Sequence, residues 1–234
     1  MPQLIDIIKK EDNYRVRHTA ATLLGRLGPK AVKRLKRSML LEISPSERKR
    51  ILEIIDTITV DVTHELIFGI GDENPQVREA AYDLAERVKD RRTTNILLDF
   101  AKHQDGALAA GAIKCLGKLE AQEVETELIA LLNSSNDEQL CIACCRALGQ
   151  IAKPTSIKSL AALLMPKRLF LFHKNRSAQL RAAAALALRQ IPDRRAANHL
   201  ANFIDDKDPR IREIARSSRN SSAAANPAGK PEAG

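Results

Sequence analysis

The stretch Leu140–Ile151, LCIACCRALGQI, decides the fold of this chain. Laid on a helix, Leu140, Ala143, Cys144, Ala147, Leu148 and Ile151 fall at offsets 0, 3, 4, 7, 8 and 11, one apolar stripe. Small residues mid-stripe let a second helix approach closely, and Gly149 loosens the exit. The same phrase recurs without gaps at Val16–Leu27 and Leu108–Leu119, and without its glycine at Leu180–Ile191 and Val77–Val88. Glu47–Ile58 is a poorer copy that keeps Ile51, Ile54, Ile55 and Ile58, and Ile211–Arg216 opens a seventh. Successive starts lie 31, 30, 31, 32, 40 and 31 residues apart. So regular a spacing marks a repeat architecture.

A second apolar segment precedes each phrase: Leu4–Ile8, Val32–Leu41, Val62–Ile70, Ile96–Ala101, Val124–Leu132, Ile157–Leu164 and Ala196–Ile204. Pro29 and Pro154 stand near the starts of two of them, where a missing N–H costs nothing. Turn-like links such as Asp72–Pro75, Asn133–Asp137 and Asp205–Pro209 join the two segments of a unit. Each unit is therefore a helical hairpin that cannot bury both of its faces by itself, so the units must stack. The expected fold is all-α, an α-solenoid of about seven hairpins in a right-handed superhelix, over residues 1–216. A loop is inserted at 165–178, and the Pro/Gly-rich residues 217–234 are expected to form a disordered tail.

Asp208–Arg212 (DPRIR) and Asn74–Arg78 (NPQVR), the latter followed by an Ala-rich stretch, resemble the HEAT-repeat family, in particular its short bacterial form and phycobilisome-lyase-type repeats. Val16-Arg17 and Leu180-Arg181 are close behind, and the resemblance covers about residues 1–216. It implies a scaffold that binds on its concave face and says little about what is bound. It also implies a role for the arginine at offset 1 (Arg17, Arg48, Arg78, Arg181, Arg212): pairing with acids of neighbouring turns to tie hairpins together.

Composition narrows the function. The 234 residues are 44% hydrophobic with 3% aromatic and no Trp, which suits a core of Ala, Leu and Ile. No segment approaches the roughly 20 apolar residues that span a bilayer, and the first turns carry acids rather than a signal-like apolar run. A cytoplasmic location without membrane contact is the expectation. The net charge of +9 is unevenly placed: +7 over 26–50, −10 over 51–145 and +10 over 146–195. Such blocks suit docking to an acidic protein surface, or self-association between basic and acidic stretches. Cys144 and Cys115 occupy offsets that other copies fill with Ala, Leu or Ile, and Cys145 shares that setting, so they read as small core residues. Cys141 stands out because it replaces the column arginine. With no partner CxxC and scattered histidines, no metal site or cofactor is expected.

The period breaks once, at the 40-residue interval. Its insertion sets Lys167, Arg168, His173, Lys174 and Arg176 around Phe170 and Phe172, and such insertions map to loops that often bind. The opposing reading tucks Leu169, Phe170 and Phe172 back onto their own repeat. On the second helices, offsets 2, 6 and 10 point away from the stripe and carry Arg26, Arg87, Lys114, Lys118, Arg146, Gln150 and Gln190, with Arg189 beside them at offset 9. The expected partner-binding set is thus Lys167, Arg168, Phe170, Phe172, His173, Lys174, Arg176, Arg146, Arg189 and Lys118, serving a non-catalytic interaction scaffold. The alternative is nucleic-acid or phosphate binding through the basic blocks, although the −10 middle would interrupt a phosphate track. A second alternative is kinship with HEAT-like lyase subunits or alkylpurine DNA glycosylases. The latter want tryptophans beside a catalytic aspartate, and no catalytic constellation appears here.

Overall fold

The computed structural model describes residues 1–41, 44–59, 61–165 and 176–224. It forms two compact units, Met1–Cys115 and Leu116–Gly234. Among the described residues the regular structure is helical, arranged as consecutive hairpins. In the first unit the hairpins are α1 (Pro2–Lys10) with α2 (Tyr14–Arg26), α3 (Pro29–Leu41) with α4 (Pro45–Leu52), and α5 (Thr63–Ile70) with α6 (Pro75–Val88). Next come α7 (Arg91–Ala101) and α8 (Gly106–Lys118), and the unit boundary falls within α8. The second unit continues with α9 (Glu125–Ser134) and α10 (Glu138–Ile151), α11 (Ile157–Leu164) and α12 (Ala178–Gln190), and α13 (Arg194–Ala201) and α14 (Pro209–Ala224). The fold is the all-α, α-solenoid type expected, with the phrase of Leu140–Ile151 on the second helix of each hairpin.

Local chemistry explains where these helices start. Asn13, Asn74, Asp137 and Ser177 each accept a backbone N–H of the first turn of the helix that follows. Each cap satisfies a donor that the helix cannot, worth about 1 kcal/mol. Prolines open α1, α4 and α6, where no N–H is needed. Gly28 ends α2 at φ 89°, a left-handed conformation that favours glycine.

Outside α2 the stripe is mostly buried as its spacing requires, and so are leucines of the first helices. In the first unit Leu84 of α6, Leu66 of α5 and Leu97 of α7 are at most 1% exposed, and in the second Cys144, Ala147, Leu148 and Ala184 of the stripe and Leu160 of α11 have no exposure. Full burial of each leucine contributes about 1.5–3 kcal/mol.

Two elements depart from the expected boundaries. The poor copy does not stay helical: α4 stops at Leu52 and a separate 3₁₀ turn covers Ile55–Thr57. The run from Ile54 to Val60 is β-branched at all but Asp56, and such side chains lose rotamer freedom in a helix. Ile54 and Ile55 are fully buried all the same. At the other end, α14 continues to Ala224, through the first part of the segment assigned to a tail. Ser217–Ala224 contains neither Pro nor Gly, so nothing local stops the helix. Residues 225–234 lie outside the described residues.

Candidate functional site

The column arginines divide into two uses. Arg78 Nη1 donates to the carbonyls of Asp72 (2.8 Å) and Glu73 (2.9 Å), and Arg212 Nη1 to those of Asp206 (2.7 Å) and Lys207 (3.2 Å). Arg17 does the same with Glu11 and Asp12 and also reaches the Glu53 carboxylate. These arginines thus satisfy carbonyls of their own hairpin turn. The others reach forward one repeat. Arg48 grips the Asp72 carboxylate with two bonds (2.6 and 3.0 Å), and Arg181 grips Asp206 (2.5 and 3.2 Å). Bidentate guanidinium–carboxylate pairs of this kind fix geometry as well as energy. Burial opposes the charge on Asp206, but Arg181 and the Asp208 N–H outweigh it and hold the carboxyl below its usual range. Arg181 and Arg48 are therefore ties between hairpins, as the resemblance implied.

Cys141 takes the arginine's place in its repeat. Its thiol points to the Ser135 carbonyl at 3.6 Å, six residues back, as Asp72 is from Arg78. It and the other three cysteines are buried, and none of the four is in a disulfide. Burial pushes the Cys144 thiol up to about 12 and raises Cys145 further still, so neither is a ready nucleophile. Among the described residues no group of three or more His, Cys, Asp or Glu side chains is placed to hold a metal ion, and no helix is long and apolar enough to cross a membrane.

In the second unit a groove of about 600 Å³ runs across α10, α12 and α14. Ile142, Ala182, Ala183, Leu186 and Ile214 form an apolar strip along it. Arg146, Arg189 and Arg210 stand around that strip with a single acid, Glu213. Arg146 is exposed, and among the described residues it has no hydrogen bond or ion pair. Among the described residues Arg189 makes a single long contact, with Ser217 Oγ at 3.4 Å, while Arg210 is held by Asp208 at 2.9 Å. Leu186 is 41% exposed between buried Ala185 and Ala187 and lies on the apolar strip of the groove.

Of the expected partner-binding residues, Arg146 and Arg189 are brought together in this groove. Arg176 is elsewhere: it donates to the Ala162 carbonyl and lines a cavity with Leu164, Arg181 and Phe203. Lys118 is exposed on α8 and does not line the groove. Lys167, Arg168, Phe170, Phe172, His173 and Lys174 lie outside the described residues. Three of the outward positions serve the stack. Arg87 pairs with Asp56 at 2.8 Å, and the Gln150 and Gln190 amides lie against Gly117 and Gly149 of the preceding helix. Arg210 and Leu186 were missed. Arg210 sits one residue before the phrase, outside the offsets considered, but Leu186, an apolar residue at offset 6, is a signal the sequence did offer.

Comparison with family models matches HEAT repeats at residues 60–140 and 94–168, and the PBS lyase HEAT-like repeat at 180–206. No curated protein matches. Among solved structures, one engineered protein is 14% identical, with 96% of this chain and 98% of that one covered at a TM-score of 0.45. A second engineered protein is 16% identical, covering 93% and 67% at 0.48. Human deoxyhypusine hydroxylase in complex with glycerol is 14% identical, covering 95% and 96% at 0.38.

Proposed function

Because the chain belongs to the HEAT-repeat family, we propose that it is a non-catalytic protein-interaction module and that the groove across α10, α12 and α14 holds an acidic segment of a partner protein. The observation that carries this reading is the pairing of an apolar strip, centred on exposed Leu186, with Arg146 and Arg189, whose charges the fold leaves largely unused. Elsewhere guanidinium groups are consumed by the stack, as at Arg48, Arg87 and Arg181. Two accessible guanidiniums beside an apolar anchor point suit a carboxylate-bearing segment with one apolar side chain. Nucleic acid is a poorer fit: Glu213 stands in the groove, and no aromatic side chain lines it for a base to stack on.

The test is fluorescence anisotropy with a short labelled peptide of alternating Glu and Leu, its Lys/Leu counterpart, and a single-stranded oligonucleotide. The acidic peptide is expected to bind. Arg146→Ala or Arg189→Ala should each weaken it about tenfold, the loss of about 1.4 kcal/mol for one charge-assisted contact. Added salt should weaken binding further. Preference for the oligonucleotide, or acidic-peptide binding indifferent to both substitutions, would refute the reading.

A further inference from the structure

The layer of first helices carries a charged surface that the stack does not use. On α3 the residues turned to the core are Ala31, Leu35 and Met39, all buried. The opposite side of the helix carries Lys30, Lys33, Arg34 and Arg37, spaced i, i+3, i+4 and i+7, which makes them one stripe. All four are exposed, and among the described residues none of them makes a hydrogen bond or an ion pair. The helix itself contains no acid. Lys30 with Arg34, and Lys33 with Arg37, are like-charge pairs at i, i+4, which oppose the helix rather than support it. Folding therefore gains nothing from this stripe, whereas Arg48 and Arg181 are consumed in ties between hairpins.

The next first helix repeats this geometry 31 residues on: Val62, Leu66 and Ile70 correspond to Ala31, Leu35 and Met39 and are buried as well. Lys36 ties the two helices side by side, donating to the Asp61 carbonyl and pairing with Glu65 at 3.1 Å. In the same register, His64 and Phe68 hold on α5 the outward positions that Lys33 and Arg37 hold on α3. Where α3 is cationic, α5 is apolar: Phe68 is 54% and Ile67 44% exposed. Leu41, which ends the α3 stripe, is 71% exposed. Asp61, the exposed acid at the start of α5, accepts the Thr63 N–H at 3.3 Å. Hairpins precede and follow both helices in the chain, and their outer faces are turned away from the second helices, so stacking does not cover this surface.

We propose that the outer face of α3 and α5 docks the protein on an anionic lipid surface, with the cations against the headgroup phosphates and Phe68, Ile67 and Leu41 in the interfacial layer. Clustered Lys and Arg on a helix face are drawn to an anionic leaflet, each cation adding to the affinity. Aromatic and aliphatic side chains beside them enter the boundary between headgroups and acyl chains. Either feature by itself holds a protein weakly; here the two stand together on neighbouring helices. The apolar residues also decide between anionic partners. A nucleic acid would meet the cations with its phosphates but has no use for Ile67 and Leu41, and Phe68 offers one stacking face where single-strand binding uses several. The lack of a spanning helix among the described residues was the ground for expecting no membrane contact, and attachment at a surface does not need one.

The experiment is cosedimentation of the full chain with vesicles of phosphatidylcholine alone and with vesicles containing about 30% phosphatidylserine, beside anisotropy with a labelled DNA duplex and a single-stranded RNA. Wild-type protein is expected to pellet with the anionic vesicles and not with the neutral ones, and less so as salt is added. The double substitution Lys33→Glu with Arg37→Glu should weaken vesicle binding about tenfold or more. Phe68→Ser should weaken it about threefold, at high salt as well as low. Both variants should keep the helical circular dichroism and melting temperature of wild type, because the altered side chains are exposed and hold nothing in the fold. Arg146→Ala should leave vesicle binding unchanged, which separates this surface from the acidic-segment groove. No binding to anionic vesicles, equal binding to neutral ones, tighter binding to either oligonucleotide, a loss in Arg146→Ala, or indifference to the double substitution or to Phe68→Ser would each overturn the proposal.

Discussion

Gly149 is one of the places where two repeats approach most closely, and Gly149→Ala tests that closeness. An added Cβ would lie 2.8 Å from the Ala187 Cα and 3.1 Å from its Cβ, and it would also strike the Gln190 amide. The amide is the far end of a flexible side chain and can move; the Ala187 backbone cannot, except by displacing α12. Ordinary carbon–carbon contact is about 3.5–4.0 Å, so α10 and α12 must separate by about 1 Å locally. Overpacking of this kind costs about 1–3 kcal/mol. Alanine returns up to about 1 kcal/mol of helix propensity, less near the end of α10. The net expectation is a loss of about 1–2 kcal/mol. With a urea m-value of about 2 kcal/mol/M, the unfolding midpoint followed by circular dichroism should fall by about 0.5–1 M. Gly25→Ala is the matched control: its new Cβ would meet only Ile58, at 3.3 Å from the side-chain methyl, and its midpoint should stay within about 0.3 M of wild type. If Gly149→Ala is as stable as wild type, the close approach of α10 and α12 does not constrain the repeat and the argument fails.

Asp206→Asn should flatten the acid limb of the stability curve. The native carboxyl is held below its unfolded value near 3.9, so its contribution is complete above about pH 4 and is lost as pH falls through the native value. At pH 7 the substitution should cost about 1–3 kcal/mol, because it leaves the Arg181 guanidinium, 22% exposed, without its carboxylate, and the difference from wild type should shrink below pH 3 in urea titrations. The four thiols should react with a disulfide reagent at pH 8 only as fast as the chain opens, and all four should react promptly in denaturant; fast native labelling of Cys144 or Cys145 would contradict their burial.

The sequence by itself determined the hairpins, their number and the buried column, because each follows from local spacing: a stripe at 0, 3, 4, 7, 8 and 11 can be buried on one side only, and Asn74, Asp137 and Ser177 announce helix starts within a few residues. It also indicated that Arg146 and Arg189 project outward. It could not say which charges remain available. Arg87, Arg146 and Arg189 look alike along the chain, yet Arg87 is bound to Asp56, 31 residues away, while Arg146 is left exposed in the groove. Nor could it distinguish Leu23 from Leu84, which hold the same offset, yet Leu23 is 44% exposed and Leu84 is fully buried. Periodicity is a property of neighbours in sequence and is legible there. The partner that a given side chain meets is set by the packing of one hairpin on the next, and only the tertiary structure decides it.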